Sequence, residues 1–475
     1  MMRHTECVLP TLVVFAALAA VGPASAGCSS SSESDGSTGT TVTTSTGSTQ
    51  PSGGAGGSEG GSGPAGGAGG DAPVEEACTP EWPSPEVDAA AFGAVGDGVT
   101  DDTAALQAGF AEIEASGGVL VLGAGRTYLI SDKLQVQDAT GFGIRGNGAT
   151  LRVAAGTPTS DHVPLTFRGC SSFVVADLTI DGNRSERTPA EVFGGHNIRI
   201  LAASDFLFSG VTSSHATTDG FYVAPTDNSD PTTFPSDGAF CDCAADDDFR
   251  QGMSIINGRR LQVIRSSFTH TNGTAPEAGI DIEPNPGSAS PGAEQIVIRG
   301  CLFEDNLGPG VATAGPIPTD HLLIEDSVFR RNDGYGLMLN IGSHVTVDGC
   351  IFDDNVHGAI RISTRSTLVQ NSEVMNHTGW VGMHLVGPDA SEIVVRDNDL
   401  HDNTGIPTSG DAWIYVNEDS GTDNYLLENV FQDNEDSDIA NQKPSGTCAA
   451  GNLMDGTLDA PADSCGVPPV VGFGT

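Results

Sequence analysis

Asp281 and Glu283 stand two residues apart in Gly279-Ile280-Asp281-Ile282-Glu283. In a β-strand that alternation sends Ile280 and Ile282 to a core and both carboxylates to the outer face. Arg361 in Ala359-Ile360-Arg361-Ile362 and His384 in Gly382-Met383-His384-Leu385 hold the same outward place. Two kinds of chemistry fit these four candidate catalytic residues. Abstraction of a proton next to a carboxylate needs a cation for the developing enolate and a base within reach, which Arg361 and His384 would supply. Acid–base hydrolysis needs two carboxyl groups about 5–9.5 Å apart. Its candidates are Asp219, Asp246, Asp247, Asp281 and Glu283.

A repeat positions these residues. An aliphatic residue is followed five places on by a second core residue, and three places later usually by Asn. The rows are Ile298–Phe303–Asn306, Ile324–Phe329–Asn332, Val347–Phe352–Asn355, Val369–Val374–His377, Val395–Leu400–Asn403 and, one residue shorter at its start, Leu427–Phe431–Asn434. The second core positions follow one another after 26, 23, 22, 26 and 31 residues. A period of roughly 22–30 residues with strand-like segments predicts a parallel β-helix solenoid, with extra length leaving as loops. Val175–Ile180–Asn183, Phe206–Val211 and Val263–Phe268 extend the pattern backwards. The Asn column predicts stacked, inward amides at a tight turn.

After each such turn comes a Gly or Ala and a second strand, whose outward residues form the row Tyr222, Ser254, Asp281, Ala312, Met338, Arg361, His384 and Ile414. Arg361 and His384 fall on adjacent rungs, about 5 Å apart, whereas Asp281 is three rungs from Arg361, roughly 14 Å.

Residues 1–27 read as an export signal: Arg3 and His4, an apolar run from Val8 to Val21, then Ala24-Ser25-Ala26. Ser25-Ala26-Gly27-Cys28 resembles a lipoprotein-processing box, with Ser25 where a larger aliphatic is usual. Lipidation of Cys28 and a plain cleaved signal are the two readings, giving an outer-membrane lipoprotein or a secreted protein. Residues 28–77 form a Ser/Thr/Gly-rich tether too poor in apolar side chains to fold. Residues 78–475 remain as one solenoid domain.

The net charge is −42, from 62 acidic and 20 basic residues. That excludes a nucleic-acid partner, which needs a basic patch. It suits a salt-rich setting, Ca²⁺ ligation by Asp-rich loops, or solubility alone. Of ten cysteines, Cys448 and Cys465 are expected to pair. Cys301 and Cys350 occupy one repeat position two rungs apart, about 9–10 Å, too far for a disulfide. Both are expected to be free and buried. Cys241 and Cys243 fall in a stretch without the repeat and are left open.

The segment Ala91-Phe92-Gly93-Ala94-Val95-Gly96-Asp97-Gly98-Val99-Thr100-Asp101-Asp102-Thr103-Ala104-Ala105-Leu106-Gln107, followed by Gly117-Gly118-Val119-Leu120-Val121-Leu122 and Arg126-Thr127-Tyr128-Leu129-Ile130, resembles the opening of the pectate lyase-like superfamily. That superfamily includes polygalacturonases, rhamnogalacturonan-active enzymes, alginate epimerases and phage tailspikes. The resemblance implies an all-β, single-stranded, right-handed parallel β-helix with a short N-terminal capping helix. Asp101 would cap that helix, with Ala105, Leu106, Phe110 and Ile113 along one side. It also implies a groove for extended polysaccharide over the outward row, and a lyase, epimerase or hydrolase acting on uronic-acid or related polymers.

Four polygalacturonase-type signatures have damaged counterparts: Thr217-Thr218-Asp219-Gly220, Asp246-Asp247-Asp248, Gly334-Tyr335-Gly336 and Arg361-Ile362-Ser363. Tyr335 stands for the expected His and Ser363 for the expected Lys, and the repeat itself generates much of the rest. His215, Asp219 and Tyr222 resemble the His/Tyr/Asp sets of alginate epimerases without their Asp-Pro-His motif. Candidate substrate-binding residues are Tyr222, Asp219, Arg250, Trp380 and His357. Arg250 reads either as a groove residue or as a structural partner of Asp246–Asp248. The competing function is a non-catalytic polysaccharide-binding adhesin, or a scaffold that acts as a spacer. Oligomeric state is not legible.

Overall fold

The structure, a computed structural model, describes residues 77–159, 163–187, 194–287, 290–378, 381–404, 412–435 and 437–474. The expected signal, Cys28, nearly all of the tether, and Trp380 lie outside the described residues. Among the described residues no helix is long and apolar enough to cross a membrane.

Each coil lays one strand on each of three faces. In one coil these are Ala293–Arg299, Leu302–Glu304 and Val311–Thr313, and each pairs in parallel with its counterpart in the next coil. Stacked coils thus build three parallel sheets around one core. The third sheet has twelve strands, from Leu134–Gln137 to Ser437–Asn441. The sheets are buried inside by period-two aliphatics and by Phe columns. Phe268, Phe303, Phe329 and Phe352 stack with centroids 5.5, 4.8 and 4.9 Å apart.

Sharp corners come from single residues in left-handed backbone, which short polar side chains tolerate best. Asp305, Arg331, Asp354, Asn376 and Asp402 have φ from 52 to 59°. Each is followed by the residue of the expected Asn column. Those amides are buried and stacked: Asn306 Nδ2 donates to Asn332 Oδ1 at 2.9 Å, and Asn332 Nδ2 to Asn355 Oδ1 at 2.8 Å. A second ladder stands at the preceding corner, the repeat position that Cys301 and Cys350 share. There Cys301 N–H donates to Ser327 Oγ, Cys350 N–H to Ser372 Oγ, and Asn398 Nδ2 to Asn429 Oδ1. Cys301 and Cys350 are free and buried, as expected.

Several registers differ from those read in sequence. Val395 pairs with Leu426, not Leu427, so the last row keeps the five-residue step to Phe431. Val175 pairs with Phe208, so the early coil is Phe208–Ser213 rather than Phe206–Val211. The next coil, Phe240–Ala245, was missed: Cys241 and Cys243 belong to regular sheet-one and corner positions. Cys241 bonds to Cys78, while Cys243 is free and buried. Cys448 and Cys465 are joined as expected.

The helix Thr103–Ser116 closes the first coil, burying Leu106, Phe110 and Ile113. Its boundary residue is Asp102, not Asp101. The Asp102 carboxylate turns away to the Val95 and Gly96 N–H groups, and Asp101 Oδ1 accepts from the Thr103 N–H at 3.0 Å. Gln107 presents its amide to Gln135 of the first sheet-three strand, donating to its carbonyl and accepting from its N–H, both at 3.0 Å. The helix thereby satisfies an edge that would otherwise invite pairing.

Candidate functional site

Sheet three carries the outward row in register: Arg199, Tyr222, Ser254, Asp281, Ala312, Met338, Arg361, His384, Tyr415. Its last predicted member is corrected from Ile414 to Tyr415, because Ile414 pairs with Met383 and is buried in the core. The four candidate catalytic residues do not form one cluster. The row divides them into two groups, with Ala312 and Met338 between.

The first group gathers side chains from four successive strands. Tyr222 stacks on His196, with ring centroids 4.1 Å apart. Asp219 begins the Tyr222 strand and is fully buried. It accepts from Ser254 Oγ at 2.8 Å and lies 3.1 Å from His196 Nδ1 and 3.6 Å from the Arg250 guanidinium. Ser254 Oγ is also within hydrogen-bond reach of Gln251 Oε1, its one proton serving either acceptor, and Gln251 Nε2 donates to Asp281. A continuous chain therefore runs from Asp219 through Ser254 and Gln251 to Asp281. Arg250 reaches Glu283 at 3.5 Å.

Asp281 is outward from the sheet yet only 1% exposed, so the reading of an exposed carboxylate is corrected. Burial, and then the adjacent Glu283 charge, push its carboxyl well above the ordinary range. Both causes favour its neutral form, and Glu283 is the solvent-facing member of the pair. Burial, then Asp219, likewise raise the Tyr222 hydroxyl. Two carboxyls in such unlike surroundings, one buried and one partly exposed, beside a guanidinium are candidates for acid–base chemistry.

The second group holds Arg361 and His384 on adjacent rungs, as expected. Arg361 donates to Asn340 Oδ1. His384 meets Tyr415 edge to face at 5.3 Å. His357, exposed at the turn before, lies 6.1 Å from Tyr335 between ring centroids. This group offers rings and one guanidinium but no carboxylate, which suits holding a sugar chain better than cleaving it.

His196 went unread because it precedes its strand, outside any repeat position. His215 points elsewhere: it lies 3.0 Å from Asp181 and contacts neither Asp219 nor Tyr222. Arg250 is not the partner of Asp246–Asp248. Asp247 pairs with Arg184 at 2.7 Å, Asp246 accepts from His270, and Asp248 is buried on Ser213 and the Ala216 N–H. Those carboxylates are engaged one by one and do not converge as an all-oxygen Ca²⁺ shell would.

Residues 282–378 match the family model described as right handed beta helix region. The chain is a right-handed parallel β-helix protein. Residues 87–185 match a second model, described as rhamnogalacturonase A/epimerase, pectate lyase-like. A comparison with curated protein sequences finds no match. Among solved structures it is similar to bacteriophage phi29 gene product 12 in its pre-mature form, at 14% identity and TM-score 0.56, over 79% of this chain and 58% of that one. It is also similar to the Azotobacter vinelandii mannuronan C-5 epimerase AlgE6 A-module, at 16% identity and TM-score 0.47, over 77% and 98%. A third likeness is to PfbA, a surface adhesin of Streptococcus pneumoniae, at 11% identity and TM-score 0.49, over 70% and 92%.

Proposed function

We propose that this protein is an exported, surface-tethered enzyme that cleaves polysaccharide, with the Asp281–Glu283 pair donating a proton to the departing glycosidic oxygen. The observation that carries the reading is the buried Asp281 carboxyl next to the partly exposed Glu283, with Arg250 beside them on sheet three. Glu283 delivers the proton and Asp281 replenishes it. Asp219 keeps Arg250 in place, and the Ser254–Gln251 chain holds Asp281 in one orientation. Extended substrate lies along the row, with Tyr335, Arg361, His384 and Tyr415 gripping sugars two to five rungs, roughly 10–24 Å, from the acid pair. The pectate lyase-like match supports an acidic polysaccharide as substrate.

The same proton donor serves a hydrolase or a lyase. His196 and Tyr222, stacked beside Arg199 and Arg250, favour the lyase or epimerase branch, because they add a base–acid pair near cations. Incubation with pectate, alginate and glycosaminoglycans separates the branches. Absorbance at about 235 nm marks unsaturated products of a lyase. Reducing ends without absorbance mark a hydrolase, and solvent-deuterium uptake without cleavage marks an epimerase. Binding with none of these products overturns the enzymatic reading in favour of an adhesin.

A further inference from the structure

On sheet one, the strands from Ser204–Ser209 to Ser391–Arg396 each carry a left-handed residue that drops out of register. Asp320 pairs with Ser343 and Leu322 with Val345, skipping His321 and His344, whose φ values are 56 and 53°. The two imidazoles therefore stand on consecutive coils in one column, stacked with centroids 4.7 Å apart. Asp320 reaches both: its Oδ1 is 2.7 Å from His344 Nδ1, and its Oδ2 is 2.9 Å from His321 Nδ1. The His321 contact is off the line of a hydrogen bond, leaving that buried nitrogen without a hydrogen-bond partner among the described residues. The three candidate donor atoms lie within 4.8 Å of one another. This is also the one such convergence of His, Cys, Asp or Glu among the described residues.

The C-terminal segment lies over this place. Phe473 donates its N–H to Thr346 Oγ1 at 2.8 Å and sets its ring edge-on to His321 at 6.1 Å, while Val471 is buried.

We propose that Asp320, His321 and His344 form a binding site for a zinc-class divalent transition-metal ion beneath the C-terminal segment. Two imidazole nitrogens and one carboxylate oxygen suit Zn²⁺, Ni²⁺ or Cu²⁺ rather than Ca²⁺ or Mg²⁺, and three protein donors leave a position for water. An ion here ties two coils together and fixes His321, against which Phe473 rests. The site lies on sheet one and shares no residue with the acid pair, so its role is in holding the fold together.

The test is calorimetric titration of ZnCl₂ into the full chain after removal of metal by chelation, alongside His321→Asn, His344→Asn and the double variant. Asn keeps the left-handed backbone available, and circular dichroism confirms the fold of each variant. The expected result is one ion per chain, weakened at least tenfold by either substitution and lost in the double variant. Loading with Co²⁺ should give visible ligand-field absorption in the wild type only. Failure of the wild type to bind Zn²⁺, or undiminished binding in the folded double variant, overturns the proposal, the latter marking ions held by the acidic surface at large.

Discussion

Arg250 ties together two carboxylates from different coils: its guanidinium lies 3.6 Å from the buried Asp219 and 3.5 Å from the partly exposed Glu283. Between them lies the third carboxyl, Asp281, whose ionisation is opposed by burial and then by the Glu283 charge. One cation thus stands among three acids.

Asp281→Asn keeps the size and the hydrogen-bonding capacity of a neutral side chain but removes the transferable proton. Activity on the responsive polysaccharide should fall at least ~100-fold. Stability should hold or rise at neutral pH. The sign follows from linkage: the native carboxyl is raised above its unfolded value, so its contribution is complete below that unfolded value and fades as pH climbs through the raised one. Wild-type activity that depends on the same proton should decline on the alkaline side. Asn at this position retaining full turnover would end the role given to the pair.

His377 occupies the Asn column, and its backbone N–H donates to Asn403 Oδ1 at 3.0 Å. Burial drives its imidazole down to about 4. The unfolded chain takes up a proton near the ordinary His value of about 6.5, so stability drains between about pH 6.5 and 4. His377→Asn restores the column and removes that drain. Urea melts should show the variant ahead by about 2–3 kcal/mol at pH 4, with the gap narrowing toward pH 7.

Asn332 donates to Phe303 O and Asn355 Oδ1, and its own Oδ1 accepts from the Asn306 N–H and amide. Asn332→Leu would strand several buried partners, each costing about 1–3 kcal/mol. The denaturant midpoint should drop sharply. A neutral outcome would mean that the ladder is replaceable packing.

The Cys78–Cys241 bond closes a loop with a sequence separation of 163 residues, against 17 for Cys448–Cys465. Loop-closure entropy assigns the longer loop about 5 kcal/mol and the shorter about 3. Thermal melts of the two Cys→Ser double variants should rank in that order.

The repeat exposed coil order, corner positions and the amide column, since each recurs once per coil and has few acceptable residues. Register slipped where two neighbours could both serve. Leu426 and Leu427 are adjacent apolar residues, and Phe206 and Phe208 both face in with exposures of 4 and 0%. The functional cluster was only half legible. Asp281, Glu283, Arg361 and His384 each sit on the predicted face, yet which ones meet depends on contacts across coils. Arg250 and His196 enter from turns, where no period constrains them. The Cys78 partner depends on how the N-terminal segment lies against the second coil set, which spacing alone does not encode.

The corner column holds one further consequence. Asp305 is flanked by His270 from the coil before, 3.7 Å away, and by Arg331 from the coil after, 3.0 Å away. Deleting the Arg331 coil would leave the core columns continuous, Phe303 meeting Phe352 and Asn306 meeting Asn355. It would also bring Asp305 against Asp354, like charge on like charge at a spacing of about 4.8 Å. The coils are therefore not interchangeable units. Their apolar interiors would permit gain or loss of a whole turn during descent, but the order of charges along the edge penalises it.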